Sequence, residues 1–178
     1  MNISNLTLRL ILPIFFFVSL LSGQLRVGDK APEWMFQDAE GKQFTMAAWD
    51  GKILQVNYVD PDESELNEHV NEAIDKAVDI DKIIERETFK GIGIADCASS
   101  WKPDFAIRMI GGAKAEKFET TVLFDYNAEL RKSWGLKEDS YNIIILDEER
   151  ICRALYKGRV PDSEVDDIIQ LIVDLQNK

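Results

Sequence analysis

Residues 51–69, GKILQVNYVDPDESELNEH, pass from one periodicity into another. The apolar run at residues 53–58 is closed by Asp60-Pro61 and reads as a buried strand. Downstream, Leu66, Val70, Ala73, Ile74 and Ala77 recur at helical spacing and predict a helix over residues 61–78. Asp60 fits the N-cap of that helix, Pro61 its first position and Glu63 its third, an aspartate form of the capping box. Acidic groups placed there gain about 0.3–1 kcal/mol from unpaired N–H groups and the helix dipole. A strand that feeds directly into a helix is the first half of a parallel crossover, so the order of elements around it fixes the fold class.

Working outward, a hairpin with its turn at residues 38–42 precedes this strand, and a charged stretch at 79–88 leads to a second strand at 89–95. Pro103 opens another helix, with an interruption expected at Gly111-Gly112. A short strand at 121–124, a turn at Asp125-Tyr126-Asn127 and a brief helix ending at Trp134 follow. Residues 142–146 and 151–156 flank Asp147-Glu148-Glu149-Arg150 as a closing hairpin. The last helix begins near Pro161, with Val165, Ile168, Ile169, Ile172 and Leu175 as its buried stripe. The first half demands parallel crossovers and the end an antiparallel pair, which predicts a mixed α/β domain with helices on both faces of one central sheet.

The 178 residues, 46% hydrophobic and 30% charged, suit a single domain with a substantial core. Net charge is −11, from 21 Lys and Arg against 32 Asp and Glu. So acidic a surface repels nucleic acid and anionic lipid. At the amino terminus, Arg9 precedes an apolar run over residues 10–21 that contains Pro13 and is too short to span a bilayer. With small residues at Ser22-Gly23, residues 1–23 read as a cleavable secretory signal, and residues 24–178 as the mature domain. Gln24 occupies the position where a lipidated cysteine would stand, so no lipid anchor is expected.

The stretch VGDKAPEWMFQDAEGKQFTMAAWDGKILQVNY, residues 27–58, resembles the opening of peroxiredoxin-like and TlpA-like proteins. TTVLFDYNAELRKSWGL (residues 120–136) resembles the strand-helix insertion of the same group, and NIIILDEERICRALYKG (142–158) its closing hairpin. Within that group the chain is similar to the YtfJ family, periplasmic thioredoxin-like proteins with a signal peptide. That likeness rests on ILQVNYVDPDESELNEHVNEAID, on FETTVLFDYNAELRKSWGLKEDS and on the helix after KGRVPDSEV. The resemblance implies a thioredoxin-like fold with an N-terminal hairpin and the peroxiredoxin-like insertion. Laid on this chain, the two thiols of a C-x-x-C motif fall at Glu63 and Leu66, and the proline that faces such a motif falls at Tyr141. Thiol-disulfide and peroxidase activity are therefore not carried over.

Other chemistry is thinly represented. Asp60-x-Asp62-x-Ser64 begins like a calcium loop, but its sixth position is Glu65 and its twelfth Asn71, so Asp60, Asp62 and Glu63 offer at best a weak divalent-cation site. Cys97 follows the second strand and is the one candidate for a solitary reactive thiol. Asp96 beside it opposes thiolate formation, and burial as a small core residue is the plainer expectation. Cys152 alternates with Ala154 and Tyr156 and reads as packing. In the implied fold the two cysteines lie three strands apart, about 14 Å, beyond the roughly 7 Å a disulfide spans. His69 is expected in solvent, and Trp34, Trp49 and Trp134 at core edges.

These readings predict an exported binding or accessory protein with no cofactor and no thiol redox motif. Its partner would be a periplasmic protein or peptide, met at the sheet end formed by residues 59–65, 96–102 and 137–141. Asp60, Asp62, Glu63, Trp101 and Tyr141 are the candidate contacts. The rivals are a single-thiol redox or peroxide-handling enzyme using Cys97, and the divalent-cation binder.

Overall fold

Alternation along β3 (Ile53–Val59) assigns the two faces of the sheet. A computed structural model describes residues 24–178, so the proposed signal segment lies outside the described residues. β1 (Met35–Gln37) and β2 (Gln43–Thr45) form the N-terminal hairpin. After β3 come α1 (Glu68–Asp79), β4 (Phe89–Asp96), α2 (Asp104–Lys117), β5 (Thr121–Asp125) and α3 (Glu129–Trp134). β6 (Tyr141–Leu146), β7 (Cys152–Lys157) and α4 (Val165–Gln176) complete the chain.

The seven strands form one sheet in the order β2-β1-β5-β4-β3-β6-β7. β4 pairs in parallel with β3 and β5, and the remaining pairs are antiparallel. Leu54, Val56 and Tyr58 pack with Ile92, Ile94, Leu123 and Ile144 against α3 and the N-terminal residues Leu25, Trp34 and Phe36. Ile53, Phe89, Ile143 and Ile145 face the other way, onto Val70, Ile74 and Ala77 of α1 and Ile168 and Ile172 of α4. This is the two-sided coverage that the order of elements predicts.

Two local expectations change. The helix foreseen over 61–78 divides into a 3-10 turn at Pro61–Glu63 and α1, which starts at Glu68. Asp60 caps the short turn, its carboxylate accepting from the Asp62 N–H at 2.8 Å. The break falls at Asn67, held at φ −123° outside the helix. Its fully buried side chain donates to the Gly158 carbonyl (2.9 Å) and accepts from the Val160 N–H (2.8 Å), so a distant loop fixes where α1 begins. Glu63 therefore sits in a 3-10 turn and not at the third position of an α-helix.

The second change is at Gly111-Gly112, where α2 runs on without interruption. A Cβ at Gly111 would lie 2.7 Å from the Phe124 ring, and one at Gly112 would lie 3.0 Å from Ala39. Gly111 lets α2 approach β5 closely and Gly112 lets it approach the β1–β2 turn, and that packing outweighs their weak helix propensity.

Candidate functional site

Three neighbouring strands end in the same pattern: Tyr58-Val59-Asp60, Ile94-Ala95-Asp96 and Leu123-Phe124-Asp125. Register aligns Val59 with Ala95 and Phe124, and Asp96 with Asp125, so the three carboxylates form a row at one end of β3, β4 and β5. All three are buried.

Each aspartate serves a different connection. Asp125 accepts from the Tyr58 hydroxyl (3.0 Å) and from the N–H groups of Asn127, Glu129 and Leu130, closing the turn into α3. Asp96 accepts from the Ser99 hydroxyl (2.7 Å) and faces Arg131 at 3.4 Å, while its second oxygen is buried without a partner. Arg131 also donates to Ser99 (2.8 Å) and pairs with Glu138. The Asp60 N–H donates to the Ser140 carbonyl at 2.9 Å. Burial pushes the Asp60 carboxyl up to about 6, with Asp139, Asp96 and Glu63 adding repulsion.

The expected loops do converge. Asp62 accepts from the Ser100 hydroxyl (2.8 Å) and pairs with the Lys102 ammonium, joining residues 59–65 to 96–102. Residues 137–141 are joined to them through Ser140 and Glu138. Trp101 projects from this end, 83% exposed, with the Lys102 ammonium 5.3 Å from its ring centre. Tyr141 departs from expectation. Its ring is buried on the α1 face, and its hydroxyl accepts from Asn71 at 2.8 Å, so it is not part of the loop surface around Trp101.

The remaining candidates resolve as follows. Cys97 is buried, its thiol directed at the Ala95 carbonyl at 3.6 Å. Burial, then Asp104, Asp125 and Asp96, push its thiol up to about 12. Cys152 is likewise buried and pushed up to about 11, and both thiols are free. Asp60, Asp62 and Glu63 are not gathered around a common point, and among the described residues no set of three acidic, histidine or cysteine side chains is grouped to hold a metal ion. His69 differs from the solvent placement expected of it: it is half-buried, its Nε2 3.0 Å from the Val160 carbonyl and 3.5 Å from Asp162. Trp34 stacks on Phe36 and Trp49 on Phe44, while the fully buried Trp134 donates its indole N–H to the Pro32 carbonyl (3.1 Å). Asp125 and Arg131 lie outside the expected segments, and Asp96 is expected only as part of residues 96–102, although the thrice-repeated strand-end aspartate is there to be read.

The family model for a bacterial protein of unknown function (YtfJ_HI0045) matches residues 30–175. Among curated proteins none matches. Solved structures share the fold at low identity. A candidate protein disulfide isomerase from Bacteroides thetaiotaomicron is 18% identical, with 86% of this chain and 92% of that one covered and a TM-score of 0.66. The exposed lipoprotein thioredoxin Etrx1 of Streptococcus pneumoniae is 13% identical, over 81% and 100% of the two chains, with a TM-score of 0.59. The reduced 2-Cys peroxiredoxin of Plasmodium vivax is 16% identical, over 85% and 96%, with a TM-score of 0.58. The fold is thioredoxin-like.

Proposed function

The chain belongs to the YtfJ_HI0045 family, and on that premise we propose an exported binding or accessory protein that uses a thioredoxin-like scaffold without thiol chemistry. One observation carries this: both cysteines are buried with thiols pushed up to about 12 and 11, and the positions where the resemblance would put redox thiols hold Glu63 and Leu66. A thiol so shifted holds almost no thiolate at neutral pH, and thiolate is the reactive form. The partner is a protein or peptide, met at the end of the sheet where residues 59–65, 96–102 and 137–141 converge. Trp101 offers the kind of aromatic anchor that dominates binding energy at such surfaces. Export rests on the pattern of residues 1–23, and N-terminal sequencing of protein from a periplasmic extract is expected to begin near residue 24.

The redox test uses purified mature protein in insulin-reduction and peroxide-consumption assays. Neither activity is expected, and native Cys97 should react with iodoacetamide at pH 8 at least tenfold more slowly than an ordinary exposed cysteine. Turnover that disappears in Cys97→Ser would replace this proposal with a one-thiol enzyme. Calcium-dependent stabilisation lost in Asp62→Ala would replace it with a cation binder.

A further inference from the structure

On the sheet face shared by α1 and α2, the two helices stand apart and leave a groove of about 860 Å³. Gln55 and Asn57 of β3 and Gly91, Gly93 and Ala95 of β4 form its floor. Nothing in the fold demands glycine at 91 or 93. Neither has a positive φ. A Cβ at 91 would meet only the Gln55 Oε1, at 3.8 Å, and one at 93 only Val122 (3.7 Å) and the Thr121 carbonyl (3.9 Å), all ordinary contacts. Gly111 is the contrast, since the Phe124 ring leaves no room there. Glycine weakens a strand interior, and where packing does not require it, it marks close approach by something else.

The floor is also incompletely paired. Gln55 Nε2 donates to Asn57 (3.0 Å) and Asn71 (3.2 Å), and Asn71 Nδ2 donates to the Tyr141 hydroxyl (2.8 Å). Among the described residues, this leaves the Gln55 carbonyl oxygen without a donor and the Tyr141 hydroxyl proton without an acceptor. Both residues are more than nine-tenths buried. One acceptor and one donor on an uncharged floor match the N–H and C=O of a peptide group. Along most of their length the walls differ in sign, with Glu72 and Asp75 on the α1 side and Lys114 and Lys117 on the α2 side; at the Phe89 end Arg86 pairs with Asp79, and Glu119 follows α2.

We propose that this groove binds an extended peptide segment of about six residues, laid along β4. The groove follows β4 from Phe89 to Ala95, about 20 Å at roughly 3.3 Å per residue. In an extended chain, side chains and backbone polar groups project along perpendicular directions. A peptide whose side chains alternate between the two walls therefore turns its backbone groups to the floor. Cationic side chains face α1, and anionic ones face α2. The inference rests on the polypeptide-binding proposal above, and it moves the main contact from the loops into the groove that opens beside them at Pro61 and Lys102.

The test is panning of a random hexapeptide display library on immobilised mature protein, followed by titration of the enriched peptides. Enrichment of charge-alternating sequences is expected, with binding to Gly91→Val weakened at least tenfold. The folded state should be at least as stable to heat in that variant as in the wild type, and Gly93→Ala should weaken binding as an independent block. Equal affinity for wild type and Gly91→Val, together with loss in Trp101→Ala, would overturn the groove and leave the loop-surface proposal standing. No enrichment above background would overturn both. A dimer in light scattering that Gly91→Val dissolves would replace the peptide with a second copy of the chain.

Discussion

At the scale of single residues, Asp60 shows how position reverses the effect of a charge. A carboxylate at an exposed turn is stabilised by nearby N–H groups, but Asp60 is only 5% exposed and lies in a row with Asp96 and Asp125. Its carboxyl rises from 3.8 to about 6, so the folded chain holds a proton that the unfolded chain releases earlier. Stability from this group is full below about pH 4 and is lost as the pH climbs through 6. Asp60→Asn keeps the acceptor for the Asp62 N–H and removes the charge. It should stabilise the protein on the order of 1–3 kcal/mol at pH 8 and leave it unchanged near pH 4, read from urea unfolding at both values. A variant weaker than wild type at pH 8 would mean that the ionised carboxylate is favourable where it lies.

At the scale of elements, the boundaries were harder to read than the elements themselves. Strand alternation over 53–58 and the helical spacing of Val70, Ile74 and Ala77 are local signals, and both elements stand where those signals put them. The start of α1 is not local, because Asn67 is held by Gly158 and Val160, more than ninety positions away. Asn67→Ala should cost about 2–4 kcal/mol, since it leaves a buried carbonyl and a buried N–H without partners. Faster amide exchange at Val160 would locate the damage, and a loss under 1 kcal/mol would show that water takes over both groups. The continuity of α2 is likewise a packing result. Gly111→Ala raises helix propensity but drives a methyl into the Phe124 ring, so thermal unfolding should show a net loss of about 1–3 kcal/mol.

At the scale of the whole molecule, the candidate site divides by the same criterion. The three strand-end aspartates were legible as a repeated pattern, and the meeting of the three loops followed from the implied fold. The facing of Tyr141 toward Asn71, the partners of Arg131 and the amide floor at Gln55 depend on which strands and helices become neighbours, and no local spacing encodes that. Arg150 is the strongest case, a turn residue by sequence and a buried tie in the fold. Its guanidinium donates to the carbonyls of Lys52 (2.7 Å), Trp49 (2.6 Å), Met46 (3.0 Å) and Asp147 (3.2 Å), with Asp50 3.7 Å away. Its own carbonyl accepts from Ala31, next to the residues that pair Asp29 with Cys152 along the outer edge of β7. One side chain thus joins the segment before β3, the β6–β7 turn and, through its backbone, the N-terminal strap that covers a sheet edge. Arg150→Met fills similar volume but removes four buried hydrogen bonds, leaving the Asp147 and Trp49 carbonyls only their backbone donors, and should cost about 3–5 kcal/mol. Arg150→Lys should fall between Met and wild type, because an ammonium cannot reach carbonyls on both sides as a planar fork does. Chemical denaturation of the three proteins checks the order. If all three proteins prove equally stable, the tie depends on neither charge nor fork, and the edge strap would have to be held by its backbone pairing alone.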